Sequence, residues 1–592
     1  MPSPRLRYFA ILSDSPMELF LIDAIGPFFR GAPNRRINWS KIPFARLNLA
    51  EEARRDQFDQ IGRDLRVFAA KARAVGYNAA TLDDVTHLAD HPWYEPEIRA
   101  HIRIFREEFR RLFRIVADEG LAVYLTMDVL SYTPALKARI GNDQGAINRF
   151  LCELLAGLLN DFPEIRGVII RIGESDGRDV KDLFRSELCI RTPEQLNHLL
   201  HGLLPVFERY GRRLILRTWT VGAYPVGDCI WRRDTLECIL DRIDSPAFVL
   251  SMKHGESDFF RHLPLNPQFF AAKAQKVQKI VELQGRREYE GCGEYPAFIG
   301  ADYEDYARQL HQADNMLGVS VWCQTGGWAP FRRLTYLDAD AVWNEINAFV
   351  ALHIFRHGCT AHEAVCRYCR IEGVDEPEAL WRLLQRSETV VKDLLYVPEY
   401  ARQTLFFRRV RIPPLLAVYW DSIFINHSMR KIMRYFVRDP DECLRLGRAA
   451  LEMIEQMRDL AQQSSMPVAD LDYMRDTFAI LALAREYSLL PFSEELRQRL
   501  KQAKKEYKLQ YPPGSRPRYK IKLSFRPFRL RRRYLGWLLA LFLRRQRGYR
   551  LIDHLLTLHL LALTYRLLRS SHPRLIPKFA RKRAMGLDSI FK

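Results

Sequence analysis

Between Arg7 and about Gly327 the chain repeats one pattern: a short, almost uniformly apolar run, then a longer segment whose apolar residues recur three and four apart. A short apolar run suits a strand buried on both faces, and the three-and-four spacing gives a helix one buried stripe. Phe58, Ile61, Leu65 and Phe68 make one such stripe; Ile102, Phe105, Phe109, Leu112 and Val116 make another. The candidate strands are Tyr8–Leu12, Asn78–Val85, Leu121–Val129, Gly167–Gly173, Arg213–Thr220, Ala247–Lys253, Lys279–Gln284 and Gly318–Gln324. Eight strands alternating with helices predict a (β/α)8 TIM barrel over residues 1–337, because strands joined through helices run parallel and eight of them close on themselves.

A chain of 592 residues is longer than one core ordinarily serves, so further domains are expected. From Asp338 the pattern turns almost wholly helical, with Leu446, Ala450, Met453 and Met457 as one stripe, which predicts an α-helical domain over 338–510 without a legible chemical signature. Tyr511-Pro512-Pro513-Gly514-Ser515 reads as a linker into a basic amphipathic tail, 511–592. The formal charge of +20 sits in that tail: residues 515–592 hold 21 Lys and Arg against Asp553 and Asp588, which leaves 70 cations and 69 acids in the rest. Its apolar stretches, Leu535–Leu543 and Leu551–Leu563, fall short of the roughly 20 residues that span a bilayer. Leucines and Trp537 flanked by arginines suit a segment lying on an anionic membrane surface. Nucleic acid is the weaker partner for so leucine-dense an arm, and docking on the body is a third alternative.

Ten scattered cysteines and the lack of a cleavable hydrophobic leader point to reduced thiols in the cytoplasm, with the tail placing the protein on the inner face of the cytoplasmic membrane. Cys359, His362, Cys366 and Cys369 have zinc-like spacing, but Thr360 reads as a helix N-cap, and on one helix the four side chains spread over more than one face. No metal site and no cofactor are therefore expected.

In a TIM barrel the active site lies at the C-terminal ends of the strands. Those ends supply Asp83, Asp84, Asp128, Arg171, Glu174, Arg217, Trp219, Lys253, Asp258, Glu282, Trp322 and Gln324. Cleaving a glycosidic bond needs one carboxylic acid to protonate the leaving oxygen and another carboxylate across the sugar. Glu174 after strand four and Glu282 in strand seven are placed to straddle a substrate. Glu282 interrupts the apolar Ile280-Val281-Glu282-Leu283, where an inward carboxylate is costly unless it is paired or functional. Trp219, Trp322 and Trp328 suit sugar stacking or plain core packing.

The segment from Glu282 to Gly291, Glu-Leu-Gln-Gly-Arg-Arg-Glu-Tyr-Glu-Gly, resembles the strand-seven motif of the bacterial xylan α-glucuronidases, glycoside hydrolase family 67. Lys253-His254-Gly255-Glu256-Ser257-Asp258-Phe259 is similar to that family's strand-six segment, and Arg171-Ile172-Gly173-Glu174 to the segment that holds its acid. Leu82-Asp83-Asp84-Val85 stands where the family has Leu-Asn-Asn-Val, so that the resemblance spans about residues 75–330. It implies an inverting hydrolase acting on a bond to an acidic sugar. Glu174 would be the general acid, with Asp258 and Glu282 sharing the base role. Arg171, Arg217 and Lys253 would meet the uronate carboxylate, for which a guanidinium offers two parallel hydrogen bonds. The alternative is a non-catalytic saccharide-binding or scaffold protein of an envelope-polysaccharide pathway.

Overall fold

The computed structural model describes residues 17–30, 41–173, 182–220, 224–324, 331, 333–407, 410–526, 531–546, 548, 550–551 and 558–571. Eight parallel strands close into a barrel: β1 (Leu19–Asp23), β2 (Ala79–Asp83), β3 (Ala122–Asp128), β4 (Ile165–Gly173), β5 (Arg213–Thr220), β6 (Phe248–Lys253), β7 (Gln278–Gln284) and β8 (Met316–Trp322). Each pairs with its sequence neighbours, and β8 closes on β1. Seven strands fall within two residues of their expected ends. The first does not: Leu19–Asp23 takes the place expected for Tyr8–Leu12, which lies outside the described residues. Both segments are apolar, and pairing decides between them. Leu19 to Ile22 align with Gly318 to Val321 on one side while Leu21 to Asp23 align with Ala79 to Thr81 on the other, as a strand in a closed ring must.

The expected helices surround the ring as α1 (Glu51–Val75), α2 (Pro96–Asp118), α3 (Gln144–Asp161), α4 (Pro193–Tyr210), α5 (Arg233–Ile239), α6 (Gly300–Leu310) and α7 (Val342–His357). Both stripes read from the sequence are buried, Phe58 to Phe68 on α1 and Ile102 to Val116 on α2. Between β6 and β7 the described chain makes two 3-10 turns, Pro267–Phe270 and Ala274–Lys276, instead of an α-helix. Pro264 and Pro267 lack the N–H groups a longer helix needs. Although α7 begins beyond residue 337, it seals the barrel: Asn347 Nδ2 donates to the carbonyls of Gly285 and Ala297 at 3.0 and 3.2 Å, and Tyr77 donates to that of Ala348 at 2.8 Å.

The longer helices that follow among the described residues up to 510 are α8 (Ala361–Glu372), α9 (Pro377–Val390), α10 (His427–Phe436), α11 (Pro440–Gln463), α12 (Val468–Leu489) and α13 (Glu494–Gln510). The region is less uniformly helical than expected. Pro413-Pro414 bars a helix, and Val418–Tyr419 instead forms a hairpin with Ser422–Asn426. Past the expected linker the chain returns to the body, where Lys520–Ser524 pairs parallel to Ser422–Asn426 and the hydroxyls of Tyr519 and Tyr295 meet at 3.1 Å. α14 (Arg532–Phe542) then turns Leu535 and Leu539 toward the body, Leu539 packing on the cluster that holds Met433 and Phe436, while Tyr534 and Trp537 face outward, and Leu543–Arg544 pairs with Phe406–Phe407. Among the described residues no helix is long and apolar enough to cross a membrane.

The barrel's lower interior is an apolar floor that includes Leu19, Leu21, Ala79, Tyr124, Ile169, Ile215, Val249 and Ile280. Gly167 makes room in it: a Cβ there would stand 2.5 Å from the Tyr124 ring and 2.6 Å from the Arg213 carbonyl oxygen. Gly167→Ala is expected to destabilise the protein by about 1–3 kcal/mol through overpacking, measured by denaturant unfolding. Unchanged stability would mean that the floor is not packed against this position.

Candidate active site

Side chains alternate sides along a strand, so the residues two beyond the floor also point inward. Ile169 is followed at that spacing by Arg171, Ile215 by Arg217, Val249 by Ser251 and then Lys253, Ile280 by Glu282, and Tyr124 by Thr126 and Asp128. The register sets these residues side by side, Asp128 against Arg171, Arg171 against Arg217, Arg217 against Ser251 and Lys253 against Glu282. One alternation thus turns an apolar floor into a charged upper half.

Glu282, fully buried, takes the Arg217 guanidinium in a two-pronged grip, with Nε at 2.9 Å and Nη2 at 2.8 Å. Ser251 donates to the same carboxylate at 2.7 Å and the Trp322 indole N–H at 3.1 Å. Burial opposes its ionisation, but the Arg217 charge and these donors hold the carboxyl below its ordinary range. The Arg217 cation lies 4.7 Å from the Trp322 ring centre, so one indole supports both partners.

Asp258 lies in the loop after β6 and accepts from Lys253 Nζ, from the Tyr289 hydroxyl at 2.6 Å and from the Phe259 N–H at 3.0 Å. It too is held low against burial, chiefly by Lys253. The Lys253 ammonium sits 3.9 Å from the Trp219 ring centre and 4.3 Å from that of Phe259. Trp219 and Trp322 therefore each cover a cation, whatever else they do. On the β2–β4 side Asp128 joins Arg171 at 3.1 Å and Lys41 at 2.5 Å and accepts from Ser186. Burial resists, yet Arg171 and Lys41 bring Asp128 down to about 2.

Asp83 accepts from the Ile42 N–H at 2.7 Å and from Thr126, and burial pushes it up to about 6. Asp84 turns aside to cap the turn Val85–His87. It meets His87 Nδ1 at 2.7 Å while Asp182 meets Nε2 at 3.0 Å. Against burial, these two carboxylates raise His87 to about 10 and so keep it charged. Gln324 takes its place at the β8 end through its N–H, 3.0 Å from Asp23. Glu174 and Trp328 lie outside the described residues.

The sequence reading missed several members of this mouth. Lys41 carries no local signal, since it comes from the connection between β1 and α1 and reaches Asp128 only in the folded chain. Ser251 could have been found from its inward position two before Lys253. Glu288 and Tyr289 stood inside the quoted motif without a role. The helical region contributes as well: the Trp420 ring stacks on Tyr289 with centres 5.7 Å apart, and Tyr289 on Phe260 at 4.2 Å. Of the zinc-like set, His362 and Cys366 come within 3.5 Å of each other, with Glu378 2.7 Å from His362.

Behind the mouth, Glu290 is gripped by Arg261 (Nε 3.0 Å) and Arg287 (Nη2 2.6 Å) and accepts from Tyr396 at 2.8 Å. This fully buried hub ties the loops after β6 and β7 to the helical region.

No protein-family model matches the chain, and no curated protein matches it. Solved structures do. A GH138 enzyme targeting pectin rhamnogalacturonan II is 10% identical, covering 84% of this chain and 77% of its own, with a TM-score of 0.49. An O-GlcNAc hydrolase mutant of Thermobaculum terrenum is 12% identical over 75% and 85%, with a TM-score of 0.38. An endo-β-1,4-glucanase B of Bacillus halodurans is 11% identical over 48% and 55%, with a TM-score of 0.32. Likeness at this level bears on neither activity nor substrate.

Burial raises the Glu290 carboxyl, but Arg261 and Arg287 outweigh it and bring it from 4.5 down to about 2. The stability it lends is fully present above about pH 4.5 and lost as the pH falls toward 2. Glu290→Gln is expected to cost about 3–5 kcal/mol at neutral pH by leaving buried Arg287 without its anion and Arg261 with only the more distant Asp302 and Glu388. In unfolding measured against pH, the gap to the wild type should narrow through that acid window; a constant gap would show that the charge is not what holds the hub.

Proposed function

We propose that this chain is a glycoside hydrolase, inverting in outcome, that cleaves a glycosidic bond to an acidic sugar in the manner of an α-glucuronidase. The observation that carries the reading is the pair of ionised carboxylates, Asp258 and Glu282, held beside Lys253 and Arg217 in one barrel mouth. In such a reaction the water oxygen bonds to the anomeric carbon as the glycosidic C–O bond breaks. Asp258 and Glu282 share the side that takes the water proton, and Glu174, after β4, supplies the proton that the leaving oxygen gains. Strands β4 and β7 are separated by β5 and β6 around the ring, which supports placing acid and base across a sugar. Lys253, Arg171 and Arg217 provide positive charge for a substrate carboxylate, with Asp83, Asp84, Trp219 and Trp322 completing the saccharide site. The family 67 resemblance of the β4, β6 and β7 segments favours the same assignment.

One observation favours the second reading, a saccharide-binding scaffold of an envelope-polysaccharide pathway: both oxygens of Asp258 and of Glu282 already accept hydrogen bonds within the protein. A screen of acidic aryl-glycosides and envelope oligosaccharides separates the two. The wild type is expected to hydrolyse at least one acidic substrate, releasing the inverted anomer by NMR. Glu174→Gln and Glu282→Gln should each lower the rate by about 10²–10⁴-fold. Binding without hydrolysis across the panel would favour the scaffold.

We further propose that the tail holds the protein on an anionic membrane surface at the cytoplasmic side. Trp537, 63% exposed, and Leu560, Leu563 and Leu567, three and four apart on α15 (Leu558–Ser571) and 45%, 51% and 57% exposed, are the exposed apolar residues that support this reading. Residues 516–526 and 531–544 pack on the body, so the test leaves them in place: Trp537→Ser combined with removal of residues 551–592. This variant should leave anionic vesicles in sedimentation while keeping hydrolysis of a soluble substrate. Equal vesicle binding by variant and full chain would rule the tail out as the anchor.

A further inference from the structure

Sequence spacing alone offers Cys359, His362, Cys366 and Cys369 as metal ligands, and the fold sorts them. Cys359 turns its thiol to the His353 carbonyl at 3.2 Å, and Cys369 is fully buried against the core. His362 and Cys366 stay together: Thr360 caps α8 through Glu363, and a spacing of four on that helix sets the two side chains on one face. Two ligands on one helix are too few. The third group comes from the next helix, where Pro377 opens α9, Glu378 stands in the first turn, and its carboxylate reaches His362. The ligand atoms of His362, Cys366 and Glu378 all lie within 4.8 Å of one another.

One nitrogen stands at the centre of this group. His362 Nε2 is 2.7 Å from Glu378 Oε1 and 3.5 Å from Cys366 Sγ. A ring nitrogen has one in-plane position, which holds either a hydrogen or a lone pair. With a hydrogen there, Glu378 accepts it and the thiol hydrogen finds no acceptor on the ring; with a lone pair there, that pair faces the carboxylate's own. A cation among the three removes the conflict, since imidazole, thiolate and carboxylate then all donate to it. The spacing fits such an ion: with Zn–N of about 2.0–2.1 Å and Zn–S of about 2.3 Å, a tetrahedral angle separates nitrogen and sulfur by about 3.6 Å. The same geometry asks the histidine and the glutamate to part to about 3.4 Å. Glu378 is free to make that shift, its side chain being 63% exposed. Trp381, one turn along α9 from Glu378, sets its ring 5.2 Å from that of His362 and packs edge-on to Phe298, so the imidazole is backed by an anchored ring.

We infer that His362, Cys366 and Glu378 form a three-ligand site for a borderline-soft divalent cation of the zinc class, which clips α8 to α9 and keeps a water in its fourth position. The mixed donor set decides the metal: calcium and magnesium take oxygen ligands, whereas a thiolate with an imidazole suits zinc. On binding, the S–H bond of Cys366 breaks, its proton passes to solvent, and the sulfur electron pair forms the bond to the metal. The other charges acting on Cys366, Glu363 and Arg370, are of opposite sign, so the two anionic ligands themselves set the preference for a cation. His362 is 41% exposed, and the ion enters from solvent. A closed structural zinc site has four protein ligands; three leave one position for an exchangeable ligand.

Cobalt(II) reports on such a site, because a four-coordinate ion with a thiolate ligand absorbs in the visible and adds a sulfur-to-cobalt band in the near ultraviolet. The full chain, freed of metal by chelation and kept reduced, is titrated with cobalt(II) and then with zinc(II). One equivalent of cobalt is expected to develop both bands, and zinc to abolish them. Cys366→Ser should lack the sulfur band. His362→Ala and Glu378→Gln should each weaken cobalt binding by at least the roughly 10–100-fold that loss of even an outer-shell partner costs. Cys359→Ser, which alters a thiol outside the group, should leave the band as in the wild type. Zinc should also raise the Tm of the wild type and not that of Cys366→Ser, a comparison that needs no substrate and is independent of what the barrel hydrolyses. The site is overturned if the wild type gives no sulfur band, if Cys366→Ser keeps it, or if zinc raises both melting temperatures equally; the three residues would then be an ordinary ion pair with a thiol beside it.

Discussion

A buried ion in a closed barrel has to find its counter-ion within the barrel, and the grip of Arg217 on Glu282 is the pairing on which the rest of this mouth depends. Neither group is near water, and a lone carboxylate or guanidinium at such depth is strongly destabilising. Pairing does not make the two a large source of stability, since the attraction mostly offsets the desolvation. What it does is fix position. Both prongs, the Ser251 hydroxyl and the Trp322 N–H converge on one carboxylate, so that β5, β6, β7 and β8 are locked together at the level where chemistry would occur.

The same rule recurs around the ring, Lys253 with Asp258 and Arg171 with Lys41 at Asp128. Glu288 is buried in the same mouth, with Lys253 and Arg286 the cations that act on it.

The loop after β7 faces two ways. Glu288 and Tyr289 belong to the mouth, while Arg287 and Glu290 belong to the hub with Arg261 and Tyr396. Left-handed backbone at Arg287, with φ of 56°, and at Gly291, with φ of 85°, makes the reversals that allow this. For a non-glycine residue such a conformation is held against a cost of order 1 kcal/mol or more. The two hydrogen bonds from Arg287 to Glu290 keep it in place. The helical region is therefore part of the site's support: Tyr396 closes the hub, and Trp420 stacks on the Tyr289 that donates to Asp258.

By itself the sequence determined the barrel. Periodicity is a local property, and seven of eight strands could be placed from apolar runs and their punctuation by helices. It also placed Asp83, Arg171, Arg217, Lys253, Asp258 and Glu282 at strand ends, since the fold tells where the mouth is and Glu282 breaks an apolar run that nothing but a partner or a function would tolerate. Which segment became β1 was settled only by having neighbours on both sides, a condition no local pattern contains. That residues 516–526 and 531–544 pack on the body, where composition suggested a tail beginning at 511, depended on strand pairing with segments about a hundred residues or more upstream. The roles of Lys41, Tyr289 and Trp420 likewise came from the tertiary structure, because pairing and stacking depend on which groups share a buried space, and those groups arrive from distant parts of the chain.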